Sequence, residues 1–443
     1  MRPTPPDPRR VAPVIHPRRV TALTHPRRVA MISLHTSPLA TPGVGDAGGL
    51  NVYVAELAKR LGERGLGVDV FTRRADPDVS DVVHINEYAR VIQLTAGPVA
   101  EVAKEDLPDH LDDFAAAMEP YVGDHQVLHS HYWLSGMVAR TLRSRHRIPM
   151  VHTMHTMARV KNELRGDGHA SEPDVRERGE AEIVAAADIL TANTSDEAAE
   201  LQRHYGARAE QIAVVPPGVD LHTFHPCDQP KSRAQLGVAQ DAEVILFVGR
   251  IQPLKAPDVL IKATARLVAA RPERRQRLRL IIIGSPSGPE SAWAKNLPGL
   301  ARDLGIDDVV EFRPHSPRAE LFRWYCVSDV VGVPSHNESF GLVALEAQAC
   351  GRPVVATDVG GLRHAVDDGA TGLLVPGHDP AEWAAALGSI LDDPEGSQWL
   401  GESAAVHAAT FSWSNTAAST LRAYAAAQQA YARAEHPGTH AEA

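Results

Sequence analysis

Two cations near the middle of the chain stand where a phosphorylated ligand could bind. The stretch FVGRIQPLKAPDVLIKA, residues 247–263, carries Arg250 at the end of a predicted strand and Lys255 at the entrance of the next predicted helix. The amino end of a helix favours anions, and two cations beside it can neutralise a diphosphate. The spacing therefore predicts a diphosphate clamp, although either cation alone would be typical of an ordinary surface charge.

Two carboxylates lie eight residues apart in SHNESFGLVALEAQACG, residues 335–351. Glu338 lies just before a predicted helix, and at about 100° per residue the spacing would bring Glu346 to about the same face as Glu338. Carboxylates on an otherwise apolar helix need partners, because an unpaired buried charge is costly, and sugar hydroxyls would serve. The pair predicts a sugar site, while one capping glutamate and one structural salt bridge are the alternative.

A glycine-rich loop in the first half matches the spacing of a dinucleotide-binding turn. Residues 43–48, GVGDAG, have the pattern GxGxxG, which binds a pyrophosphate only where the first glycine directly follows a strand. Here eight residues separate Gly43 from Leu34, the end of the predicted strand. An NADP-dependent dehydrogenase that uses Arg73 and Arg74 remains the alternative from another class. We expect instead that the glycines expose helix amides to an anion or a polyhydroxyl ligand.

The elements that must position these residues follow an alternating pattern. From Arg28 onward, short β-rich runs alternate with segments of helical spacing, and the series begins again after residues 216–232. The pattern predicts an α/β protein of two Rossmann-like doubly wound domains that face a central cleft, where open α/β folds bind ligands. The predicted divisions are a disordered basic tail over 1–26, an N-terminal domain over 27–218, a C-terminal domain over 219–415, and a helix with a frayed tail over 416–443 that crosses back.

Composition argues against several classes of protein. The 443-residue chain carries a net charge of −10, which disfavours general binding of nucleic acid. No apolar run approaches the about 20 residues of a membrane-spanning helix, so we expect no stable membrane insertion. The cysteines Cys227, Cys326 and Cys350 form no CxxC motif and predict reduced thiols in a cytoplasmic protein, with neither a disulfide nor a zinc site.

Taken together, the motifs resemble those of a known enzyme family. Gly249-Arg250, Lys255 and the element from Glu338 to Glu346 are similar to the donor site of retaining glycosyltransferases with two Rossmann-like lobes, the family-four, B-fold (GT-B) type. Within it, RVAMISLHTSPLATPGVGDAGGLNVY, HSHYWLSG, HTMHTMARVKN and HNESFG resemble members that act in mycothiol biosynthesis, and the similarity covers about residues 27–430.

This resemblance implies a specific reaction. N-acetylglucosamine would move from UDP-GlcNAc to 1D-myo-inositol 3-phosphate with release of UDP, as the first step of that pathway. The first domain would bind the acceptor and the second the nucleotide sugar. Another UDP- or GDP-sugar transferase of the same family, or a sugar-phosphate-binding protein without catalysis, is the alternative.

The resemblance also implies which residues form the donor site. They are Thr41, where the family often has glutamine, and Pro42, Gly49, Arg250, Lys255, Glu338 and Glu346. The two cations would hold the UDP diphosphate, Glu346 the ribose hydroxyls and Glu338 the transferred sugar. The implied catalytic residues are Arg250, Lys255, Glu338 and His155. The reaction would be a same-face substitution in which the departing UDP phosphate accepts the proton of the acceptor hydroxyl.

The implied acceptor site lies in the first half of the chain. Its residues are His35, Asp46, Ala47, Gly48, Gly49, Leu50, Asn51, Lys104, Tyr132, Thr156 and Arg176. The last four match the positions that recognise the acceptor phosphate in the family, and two cations with two hydroxyl donors suit a dianion.

The resemblance further implies a homodimer and a structural magnesium ion, with no cofactor required for the chemistry. Backbone oxygens of Tyr325, Cys326, Ser328 and Arg352 would hold the Mg²⁺. Backbone atoms are implied because the guanidinium of Arg352 cannot ligate a cation.

Overall fold

The computed structural model describes residues 25–41, 47–163, 171–286 and 291–435, and its strands form two separate sheets. The first sheet contains β1 (Arg28–Ile32), β2 (Gly67–Arg73), β3 (Val82–His84), β4 (Ala89–Leu94), β5 (Val127–His131), β6 (Met150–Thr153), β7 (Ile189–Ala192) and β8 (Ile212–Val214). Their order across the sheet is β3-β4-β2-β1-β5-β6-β7-β8, and all neighbours are parallel except β3 and β4.

Helices cover both faces of this first sheet. They are α1 (Gly49–Gly62), α2 (Leu111–Val122), α3 (Trp133–His146), α4 (Ala158–Glu163), α5 (Asp174–Ala186) and α6 (Ser195–Tyr205), with 3₁₀ turns at Leu107–His110 and Ala209–Gln211. The central strand β1 is buried from Val29 to Ile32, with Val29 and Met31 in the core on one face and Ala30 and Ile32 in the core on the other. Burial on both faces explains why the strands read as continuous apolar runs.

The second sheet has six parallel strands. They are β9 (Glu243–Val248), β10 (Leu278–Ile283), β11 (Val310–Arg313), β12 (Val330–Val333), β13 (Val354–Thr357) and β14 (Gly372–Val375), in the order β11-β10-β9-β12-β13-β14. The helices around it are α7 (Gln229–Leu236), α8 (Pro257–Ala270), α9 (Ser291–Ala294), α10 (Leu297–Asp303), α11 (Arg318–Val327), α12 (Leu342–Ala349), α13 (Leu362–Ala365), α14 (Pro380–Asp392) and α15 (Pro394–Ala409), with 3₁₀ turns at Pro253–Lys255 and Pro272–Gln276.

The last helix, α16 (Trp413–Glu435), returns to the first lobe. Its Trp413 and Tyr424 lie in the same core cluster as Val29 and Tyr53. The two crossings between the lobes run side by side, because the amide of Val219 donates to the carbonyl of Phe411 at 2.8 Å. The lobes are therefore joined by two packed segments rather than by one free linker.

The predicted fold class of two doubly wound lobes is confirmed. Two strands were not predicted: β3 is a three-residue edge strand with partly exposed side chains, and β14 begins with glycine. Both lack the apolar β-rich run that identified the other strands. The domain boundaries stay a prediction, and residues 1–24 of the basic tail lie outside the described residues. None of the helices described is long and apolar enough to cross a lipid bilayer.

The expectation of three reduced thiols was wrong. The structure joins Cys227 and Cys326 in a disulfide with Cα atoms 5.9 Å apart, and Cys350 is the free cysteine of the described chain. The bonded residues are 99 positions apart and form no short motif, so spacing could not indicate the pair. The packing of α7 against α11 brings them together.

Candidate active site between the two lobes

The described part of the glycine loop leads directly into α1. Asn51 is buried, and its amide oxygen accepts a hydrogen bond from the amide of Gly48 at 2.9 Å. Its amide nitrogen donates to Thr36 Oγ1 at 2.7 Å and to the carbonyl of Ser37 at 2.6 Å. Both polar atoms of the Asn51 side chain thus hold the loop against the segment that follows β1. The contact of Asn51 with an acceptor stays a prediction.

The other loop residues predicted to bind ligands differ in exposure. Ala47 is buried, and Leu50 packs against the cores on both faces of the first sheet. Contacts of these two residues with a ligand would therefore fall to their backbone atoms. Thr41 is exposed, while Pro42 and Asp46 lie outside the described residues.

The start of α1 faces the second lobe. A Cβ atom at Gly48 would lie 3.7 Å from Nε of Arg250, and one at Gly49 would lie 3.6 Å from Cδ1 of Leu342, the first residue of α12. Among the described residues, Arg250 has no carboxylate within ion-pair distance. Within the described residues, one cation of the predicted clamp therefore has no carboxylate partner, and a guanidinium in this position suits an anionic ligand.

The second predicted cation is paired with a predicted sugar-binding carboxylate. Lys255 ends the 3₁₀ turn before α8 and forms an ion pair with Glu338. Glu338 also lies 3.5 Å from the hydroxyl of Ser335. Because an ammonium group has three N–H donors, Lys255 can keep this contact and still bind a phosphate oxygen.

The prediction that Glu338 and Glu346 share one helical face was wrong. Helix α12 begins at Leu342 after Gly341, whose φ of +102° breaks any helix that would run from Glu338. Glu338 therefore lies in the preceding loop, where the angular spacing of a helix does not apply. Glu346 is on α12.

Helix α11 supplies both partners of Glu346. The hydroxyl of Tyr325 donates to it at 3.0 Å, and the guanidinium of Arg318 lies 3.5 Å from its other oxygen. Burial raises the pKa of Glu346, and the charge of Arg318 opposes that rise. The carboxylate keeps acceptor sites for further hydroxyls, because only part of its four-site capacity is used.

Predicted acceptor residues converge around the ring of Tyr132. Nζ of Lys104 lies 5.1 Å from the ring centroid, the guanidinium carbon of Arg176 lies 4.9 Å from it, and the ring of His35 lies 4.5 Å from it. Arg176 also donates to Thr156 Oγ1 at 2.9 Å. Five residues from separate elements thus meet at one place beside the cleft.

Arg176 is more fully engaged than the sequence indicated. It is 1 % exposed, and it donates to Glu180 and Glu172 at 2.7 Å each. With the hydroxyl and carbonyl of Thr156, these contacts use four of the five guanidinium N–H donors. Arg176 therefore fixes Thr156 and offers one N–H to an anion, while Lys104 is the more available cation.

His155 follows β6 in a left-handed conformation with φ of +60°, which is unusual for a residue with a side chain. Its Nε2 lies 3.0 Å from Nδ1 of His131, and its ring meets the edge of Tyr53 at 5.1 Å. Its carbonyl accepts a hydrogen bond from Ser339 of the second lobe at 2.6 Å. Burial of the imidazole lowers the pKa of His155 to about 3, so the ring is neutral at physiological pH.

A cavity of about 220 Å³ lies between the lobes at these residues. Its lining includes His155, Thr156 and Glu197 of the first lobe and Glu338, Ser339 and Gly360 of the second. Several buried polar atoms nearby have no hydrogen-bond partner among the described residues: His35 Nδ1, Tyr53 OH, His131 Nε2, Tyr132 OH and Glu197 Oε1. Buried polar atoms are nearly always paired, so these five atoms are available to a polar ligand or to water in the cleft.

Comparison with known proteins agrees with this geometry. Residues 48–218 match the family described as Glycosyl transferase 4-like domain, and residues 228–407 match Glycosyl transferases group 1. The D-inositol 3-phosphate glycosyltransferase of Kineococcus radiotolerans is 53% identical over 414 residues, which cover 90% of this chain and 95% of that protein. The protein of the same name from Thermobispora bispora is 50% identical over 402 residues, covering 89% and 94% of the two chains. The chain belongs to this glycosyltransferase family.

A solved structure agrees with the family assignment. Sucrose-phosphate synthase from Thermosynechococcus elongatus matches with a TM-score of 0.82 and 33% sequence identity, covering 90% of this chain and 98% of that chain. The glycosyltransferase fold thus extends over both lobes.

The dehydrogenase alternative is not supported. The guanidinium of Arg73, which an NADP site would need, donates to the carbonyls of Pro98 and Ala100 at 2.7 and 2.6 Å. Arg74 is paired with Asp81. With these cations engaged and the family known, the glycine loop belongs to a glycosyltransferase cleft.

The four positions predicted to hold Mg²⁺ do not fit a cation in this arrangement. The carbonyl of Tyr325 accepts from the amide and hydroxyl of Ser328, and the carbonyl of Ser328 accepts from Gln229 and from Arg352. A guanidinium at the centre of a site repels a divalent cation. A larger cavity of about 840 Å³ beside Arg352 is lined by none of the predicted donor or acceptor residues. Magnesium binding stays a prediction, and no step below depends on it.

Three residues of the glycosyltransferase cleft were missed at the sequence level. Ser339 stands next to Glu338 in HNESFG, so proximity to the motif was an available signal. Tyr53 lies two residues beyond Asn51 on α1. Arg318 had no signal, because its polar surroundings are typical of a surface arginine.

Proposed function

We propose that this protein is a retaining glycosyltransferase that transfers N-acetylglucosamine from UDP-GlcNAc to 1D-myo-inositol 3-phosphate. The products are N-acetylglucosaminyl inositol phosphate and UDP, and the reaction is the first step of mycothiol biosynthesis. The names of relatives about 50% identical over nine tenths of the chain support this assignment.

The observation that carries the proposal is the convergence of His35, Lys104, Thr156 and Arg176 on Tyr132. Cations and hydroxyl donors at one place suit a phosphate monoester. The hydroxyl of Tyr132, which has no hydrogen-bond partner among the residues described, is a further donor. The phosphate of the acceptor would anchor the inositol ring here, so that its hydroxyls reach toward the cavity between the lobes.

The donor would bind across the cleft from this cluster. Arg250, whose guanidinium is unpaired among the described residues, and Lys255 would neutralise the diphosphate. Glu346 would accept hydrogen bonds from the ribose hydroxyls. Glu338 would orient the transferred sugar, and its ion pair with Lys255 links the sugar contact to the diphosphate contact.

In the reaction, a hydroxyl of the acceptor would form a bond to the anomeric carbon on the face from which the phosphate departs. The bond between that carbon and the β-phosphate oxygen breaks, and the phosphate takes the proton of the hydroxyl. Negative charge grows on the leaving group, so the two cations stabilise the transition state more than the ground state.

His155 would position the donor sugar and not carry a proton. Burial lowers its pKa to about 3, far from the value that suits an acid or base at neutral pH. A neutral imidazole still donates or accepts a hydrogen bond, and the contact with His131 fixes its orientation.

Release of UDP from UDP-GlcNAc with a panel of acceptors tests the assignment. We expect turnover with 1D-myo-inositol 3-phosphate, little with the 1-phosphate isomer and little with unphosphorylated inositol, because the phosphate cluster anchors the substrate. NMR of the product should show the anomeric configuration of the donor. Equal rates with inositol and its 3-phosphate would overturn the acceptor, and an inverted product would overturn the retaining mechanism.

We also propose that the enzyme acts as a homodimer, as the family resemblance implies, and that it works in the cytoplasm. Sedimentation equilibrium at micromolar concentration distinguishes a dimer of about twice the 47.8 kDa chain from a monomer.

A further inference from the structure

The guanidinium of Arg318 bridges the two lobes at the donor site. Arg318 is the first residue of α11, and its Nη1 donates to Glu56 of α1 in the first lobe at 3.0 Å. Its Nη2 lies 3.5 Å from Glu346 of α12 in the second lobe. The side chains are 26 % exposed for Arg318, 12 % for Glu56 and 13 % for Glu346, so these contacts are only partly screened by water.

Several charged and titratable groups surround Glu346. Tyr325 and Arg318 face it from α11, Glu56 faces it from α1, and Asp220 approaches from the segment that joins the lobes. Cys350 directly follows α12, the helix that carries Glu346. Among these groups Arg318 is the only cation. Asp220 has a second cation near it, because Nη2 of Arg60 lies 3.7 Å away.

Loss of Arg318 would thus leave three carboxylates close together in a partly buried site. Burial, Asp220 and Glu56 all raise the pKa of Glu346, and Arg318 is the largest influence that lowers it. A protonated carboxyl group has fewer acceptor sites and would bind the two ribose hydroxyls less well.

The other end of the bridge leads to the catalytic cleft. Glu56 lies on α1, which starts at Gly49. At this end of α1, a Cβ atom added at Gly48 would touch Arg250, and one added at Gly49 would touch Leu342. A helix is stiff over this length, so a fixed position for Glu56 also fixes the position of the glycine loop against the second lobe.

We propose that Arg318 is a positioning residue that holds Glu346 ready for the donor ribose and, through Glu56, ties this donor contact to the lobe that binds the acceptor. The inference rests on the proposed function, since it takes Glu346 as the ribose ligand. Arg318 itself need not touch the substrate.

Isothermal titration with UDP between pH 6 and 8 tests the first arm. Arg318→Gln should weaken UDP binding at least tenfold at pH 7.5. The ratio of its dissociation constant to that of the parent should grow at least threefold as the pH falls from 8 to 6. Taking the ratio removes the titration of the UDP phosphate, which is common to both proteins. Arg318→Lys keeps the charge and should show a ratio independent of pH, as should the control Arg323→Gln on the exposed side of α11.

Glu56→Gln tests the second arm, because it removes the negative charge of the ion pair between the lobes and leaves Arg318 beside Glu346. We expect UDP affinity within twofold of the parent and a kcat at least threefold lower. Thermal unfolding checks that each variant is folded. If Arg318→Gln does not fold, Arg318→Lys and Glu56→Gln test the proposal. An Arg318→Lys variant whose ratio of dissociation constants varies with pH overturns the proposal, and so does a Glu56→Gln variant with the kcat of the parent.

The outcomes separate this inference from the proposed function. A parent protein that does not bind UDP overturns the proposed function and this inference with it. A parent that binds UDP, together with an Arg318→Gln variant that binds UDP equally at every pH, overturns the role of Arg318 alone.

Discussion

The hydroxyl of Ser339 donates a 2.6 Å hydrogen bond to the carbonyl of His155 and so joins the two lobes at the floor of the cleft. Ser339 follows Glu338, a predicted donor residue, and His155 precedes Thr156, a predicted acceptor residue. This one bond therefore fixes the distance between predicted donor and acceptor residues. The left-handed backbone of His155 aims its carbonyl at the second lobe, and strained conformations of this kind are concentrated at functional sites.

Replacement of Ser339 by alanine should therefore lower kcat, and the change in activation free energy should exceed the change in the free energy of unfolding. A neutral hydrogen bond contributes about 0.5–1.5 kcal/mol, which corresponds to a decrease of about two- to tenfold. Steady-state kinetics with both substrates saturating measures the effect. Ser389→Ala is the matched control, because the hydroxyl of this exposed residue donates to the carbonyl of Ala386 within α14. A Ser339→Ala enzyme with parental kcat would show that the bond has no part in turnover.

Replacement of Lys255 by alanine should lower kcat about 10²–10³-fold and leave the KM for the acceptor nearly unchanged. The cation would stabilise charge on the leaving phosphate, and loss of one such donor costs about 2.7–4 kcal/mol in other enzymes. The variant also frees Glu338 from its ion pair. Lys262→Ala is the control, because this lysine lies on the following helix α8, where it pairs with Asp258 at a partly exposed position. Undiminished turnover would remove Lys255 from the mechanism.

Replacement of Lys104 by alanine should raise the KM for 1D-myo-inositol 3-phosphate at least tenfold. Lys104 is the more available cation of the acceptor cluster, and a charged hydrogen bond contributes about 1.5–3 kcal/mol. The KM for UDP-GlcNAc should change less than twofold, and so should both constants of the exposed control Lys231→Ala. Activity with unphosphorylated inositol should be low in the parent and fall little further, because the missing phosphate has already removed the contact. A parallel loss with both acceptors would argue against a phosphate contact.

Acidification should destabilise the first lobe through its buried histidines. Burial lowers the pKa of His152 to about 3 from an ordinary value of 6.5. Between these two pH values the unfolded state binds more protons than the folded state. The contribution of His152 to the free energy of unfolding is therefore fully present above pH 6.5 and decreases as the pH falls toward 3. Each such histidine contributes a slope of up to about 1.4 kcal/mol per pH unit.

Thermal unfolding at pH 7.5, 6.0 and 5.0 measures this dependence. Among the described residues, the imidazole of His152 makes one hydrogen bond, between its Nδ1 and Ser130 Oγ. The His152→Gln variant should lose less stability than the parent over the same pH range. The exposed residue in His222→Gln serves as the control, and that variant should follow the parent. Equal pH dependence in the His152 variant and the parent would contradict the assignment.

Much of this protein is determined by local sequence. Continuous apolar runs such as RVAMI predicted β1, since a parallel strand is buried on both faces whatever its neighbours are. Arg250 and Lys255 were found because the carboxyl end of a strand and the start of the next helix are close in any unit of this kind. The resemblance to the family predicted acceptor residues, and the fold brings His35, Lys104 and Arg176 of this predicted set together around Tyr132.

Other features depend on contacts between segments far apart in the chain. The disulfide between Cys227 and Cys326 arises from the packing of α7 on α11, which spacing does not encode. Gly341 ends the path from Glu338 to the helix, and only the backbone angle at that residue separates the two carboxylates. The bridge from Glu56 through Arg318 needs the two lobes to meet.

The same reason explains what the sequence left open about Arg176. Its position four residues before Glu180 is typical of an exposed helical ion pair. In the structure it is buried, and most of its N–H groups donate to neighbouring protein groups. Local patterns determine which elements form and which residue types they carry. Burial and pairing follow from how those elements pack, and they decide whether a charged side chain is free to meet a ligand.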